Sequence, residues 1–159
     1  MSLNPQIKTP VILHVDVAAT AESPAFSAKA MLDKDRAQYY ASSLQFEHMN
    51  VKLTSARVQK TPVQKTMAPV LRTLLAEANP NLVLQHPLVR KWATGKDQRP
   101  VAQKLINSPD DVTLNGAAIV YNLAKLAGEA PIKATARAAG INRDDARFWL
   151  HLARKKNIL

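Results

Sequence analysis

Residues 134–159 read ATARAAGINRDDARFWLHLARKKNIL, and the order of residue types in this stretch decides how the C-terminal part folds. Gly140 can take the positive φ of a tight interhelical turn without a Cβ clash, and Ile141 behind it is placed to plug the angle between two helices. Ahead of the turn, the small residues Ala134, Ala136, Ala138 and Ala139 let another helix approach closely. Beyond it, Asn142 is a favoured helix cap, and Asp145 three residues on completes a capping-box-like pattern. The stretch therefore predicts helix, glycine turn, helix.

Upstream, the run Ser108, Pro109, Asp110, Asp111 predicts another helix start. Ser108 is the expected cap, with Pro109 at the first helical position and Asp111 three residues after the cap, where its charge also suits the helix dipole. Val112, Ile119, Leu123 and Leu126 fall on one stripe, with Asn115, Asn122 and Lys125 elsewhere, and Gly128 supplies the left-handed residue that ends many helices. Pro131 fits the first turn of the next helix. Three helices are expected between residues 108 and 159.

This arrangement resembles the helix-turn-helix family of bacterial and phage DNA-binding proteins, over about the last third of the chain. Ala136, Gly140, Ile141, Ala146 and Trp149 occupy the family's packing positions. The resemblance implies that Asn142, Arg143, Arg147 and His151 look into a major groove, that Lys133 and Arg137 hold phosphates, and that Arg154 and Lys155 complete the DNA-binding set. Thr135 departs from the pattern, which often has an aliphatic residue there. So does the acidic pair Asp144 and Asp145: these carboxylates either repel phosphate or serve the cap, and Asp144 can accept a hydrogen bond from cytosine N4. Trp149 belongs to the inward side of its helix.

The front of the chain has a different periodicity. Val11, Leu13, Val15 and Val17 alternate with Ile12, His14 and Asp16, and Phe26, Ala28, Ala30 and Leu32 repeat the period of two. The charged residues 33–36 suggest a turn, after which 37–49 return as a longer strand, giving a small antiparallel sheet. Val63, Met67, Val70, Leu71, Leu74 and Leu75 then recur at helical intervals. Pro69 breaks a continuous helix on this reading, so the helix is expected from about Ala68 to Ala78. The fold class is α+β: a sheet with a packed helix, then the three-helix unit. The expected units are an N-terminal domain at 1–78, a basic connector with short helical turns at 79–107, including 87–93 and 100–106, and a DNA-binding domain at 108–159. The front unit resembles the sheet-and-helix domain that small bacterial regulators place before such a terminal unit, which implies a role in dimerisation or partner binding.

Twenty-two Lys and Arg against twelve Asp and Glu give the 159 residues a formal charge of +10, a field that attracts polyanions. Lys52, Arg57, Lys60, Lys65, Arg72, Arg90, Lys91, Lys96, Arg99 and Lys104 concentrate that charge mid-chain, a possible second phosphate-contacting surface. Trp92 lies among them, where stacking on nucleic acid and docking to the sheet are both open. The absence of cysteine excludes disulfides, a cysteine nucleophile and a cysteine-ligated zinc site, and fits a cytoplasmic chain. The most apolar early stretch, residues 11–20, is cut by His14 and Asp16 and is shorter than the roughly 20 residues a bilayer span requires.

His14, His48, His86 and His151 show no metal-ligand spacing, and no phosphate-cradling glycine loop, nucleophile elbow or carboxylate pair stands out. The chain is not expected to be an enzyme, and nothing in it calls for a cofactor. The expectation is sequence-specific binding of double-stranded DNA by a homodimer without membrane contact, as a transcriptional regulator of bacterial or phage type. The alternatives are a structural or assembly adaptor whose tri-helical end binds protein, and a phage DNA-packaging or recombination accessory factor.

Overall fold

A computed structural model describes residues 6–19, 24–46, 61–96 and 106–159. Strands β1 (Ile12–Val17), β2 (Phe26–Asp33) and β3 (Gln38–Phe46) form an antiparallel sheet in sequence order. Val15 pairs with Ala28 and Leu13 with Ala30, so the apolar sets of neighbouring strands share one face. Phe26, Ala28, Ala30, Val15 and Val17 are buried on that face. Val11, expected in the same row, lies just before β1 and is exposed. The β2–β3 register shifts between Lys29 and Ala30, after which Ala28 opposes Leu44 and the Phe26 and Phe46 rings meet with centroids 5.8 Å apart. The turn at 33–36 forms as its charges suggest: the Asp33 carboxylate accepts the amides of Asp35 and Arg36, both at 3.0 Å. Residues 47–49 of the longer strand reading lie outside the described residues.

Helix α1 (Val63–Ala78) covers the inner face through Met67, Ala68, Leu71 and Leu75. It begins five residues earlier than expected and runs through Pro69. Proline inside a helix removes one hydrogen bond and costs about 3 kcal/mol. Full burial of a Met or Leu side chain is worth about 1.5–3 kcal/mol each, and three of them, Met67, Leu71 and Leu75, outweigh that cost while Pro69 itself faces solvent. Asn79 closes the helix: its side chain accepts the Lys8 amide at 2.7 Å and donates to the carbonyls of Lys8 and Leu75, fastening the chain leading into β1. Tyr39 donates its hydroxyl to the Pro10 carbonyl, and burial pushes its pKa up to about 12.

Of the segment read as a connector, residues 79–96 carry two short helices, α2 (Pro80–Gln85) and α3 (Pro87–Thr94). Each has proline at its start, where the missing N–H costs nothing. Leu82, Val89 and Trp92 enter the main core. The second turn expected in this segment, at 100–106, falls mainly outside the described residues, as do Lys52, Arg57, Lys60, Arg99 and Lys104.

Helices α4 (Asp111–Leu126), α5 (Pro131–Ala139) and α6 (Arg143–Lys155) complete the chain. The architecture is α+β, a three-stranded antiparallel sheet followed by helices, with three at the C-terminus. One core joins the two ends: Val15, Phe26 and Tyr39 of the sheet belong to the same buried cluster as Ile119, Leu123 and Leu126 of α4 and Ala134 and Ala138 of α5. A second cluster, around Leu114, Ala139, Trp149 and Ala153, lies between the terminal helices. No helix among the described residues is long and apolar enough to cross a membrane.

Candidate nucleic-acid interface

Helix α4 is the post on which the terminal unit is built. Its cap is Asp110, not Ser108, and the helix starts two residues later than the capping pattern predicted. Asp110 accepts the Thr113 amide at 2.8 Å and adds a full negative charge at the positive end of the helix, which a serine hydroxyl cannot supply. Hydrogen bonds from the Thr113 side chain and backbone hold the Asp110 carboxyl below its ordinary value. Val112 belongs to the exposed first turn, 63% accessible, instead of the buried stripe. From Gly116 to Val120 the helix is buried on every side, and Asn122, placed off the stripe by its spacing, is buried as well.

Helix α5 begins at Pro131 and ends at Gly140, whose φ of 67° is the left-handed conformation the turn requires. The Gly140 and Ile141 amides return to the carbonyls of Arg137 and Ala136, closing the helix end. Ile141 packs against the second cluster, at the angle between α5 and α6. Thr135 is buried with its hydroxyl satisfied by the Pro131 carbonyl at 3.0 Å. Gly140→Val is expected to cost about 1 kcal/mol or more, since a β-branched residue at positive φ is strained. A thermal melt that leaves this variant as stable as the parent would show that the turn has another conformation.

Asn142 caps α6, its side-chain oxygen accepting the amides of Asp144 at 2.9 Å and Asp145 at 2.8 Å. The helix buries Ala146, Trp149, Leu150 and Ala153 against α4 and α5. Trp149 donates its indole N–H to the Ile106 carbonyl at 2.8 Å, as an inward tryptophan must if it is to be buried without loss. At the far end, Asn157 adopts a φ of 56°, and the Ile158 amide bonds back to the Ala153 carbonyl. Ile158 and Leu159 thereby fold onto the second cluster, which is what two apolar residues after a lysine pair accomplish.

The opposite face of α6 is open. Asn142, Arg143, Asp144, Arg147, His151, Arg154 and Lys155 are all exposed. Residues 144, 147, 148, 151 and 155 follow the i, i+3, i+4 rule and form one stripe, with Arg143 and Arg154 along its flank. Arg147 is ion-paired with Asp144, both well exposed, so the pair contributes little to stability and its guanidinium is free to exchange partners. Arg154 lies over the Tyr121 ring at 5.7 Å, which braces its side chain on α4. Lys156 reaches back to Asp111.

The two α5 residues divide. Lys133 is exposed, but Arg137 is turned inward to Glu129 at 3.3 Å, with 21% of its side chain accessible. Glu129, in the α4–α5 connection, also holds Arg72 of α1 at 2.9 Å and accepts the Trp92 indole N–H at 3.1 Å. Trp92 is fully buried, so docking and not stacking is its role, and Arg72 and Arg137 belong to an internal ion cluster instead of a phosphate-facing surface. Their partner comes from 57 and 8 residues away respectively, separations at which local spacing carries no signal. Phe148 is the residue of the open face that the family pattern does not single out, although helical spacing alone places it there.

Among the described residues no group of three or more His, Asp or Glu stands close enough to hold a metal ion. Compared with protein-family models, curated protein sequences and solved structures, the chain finds no match in any of the three.

Proposed function

We propose that the chain binds double-stranded DNA in a sequence-specific manner, with α6 as the reading helix and α5 as its support, and acts as a transcriptional regulator of bacterial or phage type. The observation that carries this reading is the pairing of two opposite faces on one capped helix. One face is locked by Trp149 and its neighbours, and the other presents Arg143, Arg147, His151, Arg154 and Lys155 to solvent in a chain of charge +10. A helix held in this way can enter a major groove without rearranging its own core, and about 12 Å of groove width accommodates it. Asn142 and Asp144 stand at the leading end of the helix, suited to hydrogen bonds with base edges. Lys133, at the start of α5, is suited to a backbone phosphate. A single short helix reads few base pairs, so two copies on a pair of half-sites would supply the specificity a regulator needs.

Titration of labelled duplex DNA across a range of salt concentrations tests the proposal. With about six phosphates neutralised, log affinity is expected to fall against log salt with a slope of about −5, through release of condensed counterions. Absence of duplex binding at low salt, or binding indifferent to salt, would overturn it and turn attention to a protein partner for the same face.

A further inference from the structure

Phe148 is out of place on an ionic face. It is 44% exposed, while Trp149, the next residue, is 3% exposed in the core. It is also the one large apolar side chain exposed on α5 or α6. Its helical neighbours on the open side are Asp144 four residues before, Arg147 beside it, and His151 three residues after. Among the described residues of α5 and α6 its apolar company is the half-buried Leu152, four residues after it, a pair of side chains and not the broad surface on which a hydrophobic partner docks. Charge argues against a second copy meeting this face head-on, because Arg143, Arg154 and Lys155 would oppose their own counterparts.

A polyanion whose recognition surface carries isolated apolar groups among polar ones fits both observations. The floor of the DNA major groove is such a surface: every base pair offers donors and acceptors there, and thymine alone adds a methyl group. We infer that Phe148 is a specificity-determining residue that packs on the C5-methyl group of thymine, next to the base contacted by Arg147. The inference rests on α6 being a duplex-reading helix and adds a chemical identity to one position of its site. The ring confers a preference for thymine through contact area, whereas the guanidinium of Arg147 reads through hydrogen bonds. The preferred site is then expected to place a thymine adjacent to a guanine.

The experiment starts from selection of preferred sites from random 30-base-pair duplexes by the full chain. The enriched site is then prepared with uracil replacing each thymine in turn, which removes only the methyl group. Wild type is expected to lose about fourfold in affinity at one position per half-site, the worth of burying one methyl group. Phe148→Ala is expected to bind the thymine and uracil forms equally, and its thermal melt, unchanged from wild type, shows that the fold is retained. If uracil has no effect at any position, or if Phe148→Ala keeps the fourfold difference, the inference is wrong even though DNA binding stands. If no sequence is enriched, or single strands are bound in preference to duplex, the reading of α6 itself fails and this inference with it.

Discussion

Replacing Glu129 by alanine is expected to destabilise the protein by about 3–5 kcal/mol, because it strands two guanidinium groups in a largely dry site. The Glu129, Arg72 and Arg137 side chains are 12%, 14% and 21% accessible, so water can neither screen the cluster well nor replace the lost carboxylate. Trp92 would lose the acceptor of its indole N–H in the same step. For a chain of this size such a loss lowers the melting temperature by roughly 10 °C. Arg72→Met combined with Glu129→Ala is expected to recover part of the loss, since one of the orphaned charges leaves with its partner. Chemical denaturation of the two single variants and the double variant measures the coupling. A Glu129→Ala variant within 1 kcal/mol of wild type would mean that the carboxylate is not the shared partner of the two arginines.

The second large effect separates the proposed DNA contact from folding on one helix. Trp149→Ala is expected to cost about 3–5 kcal/mol of stability by emptying a core site, and it also leaves the Ile106 carbonyl without its donor. Arg147→Ala should leave the melt unchanged, because the side chain is exposed and its pair with Asp144 is a surface one. If the guanidinium contacts a guanine edge, specific DNA affinity falls by about 1–3 kcal/mol in that variant. Thermal melts and DNA titrations of both variants decide between the two roles. Normal binding by Arg147→Ala together with a folded Trp149→Ala that has lost DNA would show that the reading face is on another side of α6.

What was legible in the sequence was what local chemistry decides. Gly140 at positive φ, Asn142 as a cap and Pro131 at a helix start each restrict the backbone within a few residues, so the turn between α5 and α6 followed from their spacing. The alternation in β1 and β2 identified the buried face of the sheet for a similar reason. The misreadings occur where distant parts of the chain outvote a local rule. Pro69 argues against a helix, but Met67, Leu71 and Leu75 are held by the sheet, and the helix runs through it. Ser108 and Asp110 are both good caps two residues apart, and the charged one prevails. The helical turn expected at 87–93 is there, but the helix at Pro80 was not singled out, because a proline that starts a short helix is indistinguishable, by type alone, from one that interrupts a loop. The open face of α6 was reached through the helix-turn-helix resemblance, and the residues it implied there are exposed. The inward turn of Arg137 was not legible, since Glu129 and the two elements sharing it converge only in three dimensions.

The cluster that runs from Val15 and Phe26 through Leu123 to Ala138 also determines what can be cut from this chain. An excised piece covering 108–159 would bare Ile119, Val120, Leu123 and Leu126, and the remaining 1–107 would lose the part of the shared core that α4 and α5 supply. Each piece alone is expected to be a poorly packed, aggregation-prone chain. Mixed in equal amounts, the two are expected to find each other and restore the helical circular dichroism and the single melting transition of the parent. The halves would thus behave as an obligate complementing pair, and footprints or affinities measured on the isolated tail would describe a different, looser object than α6 packed on α4 and α5 in the whole chain.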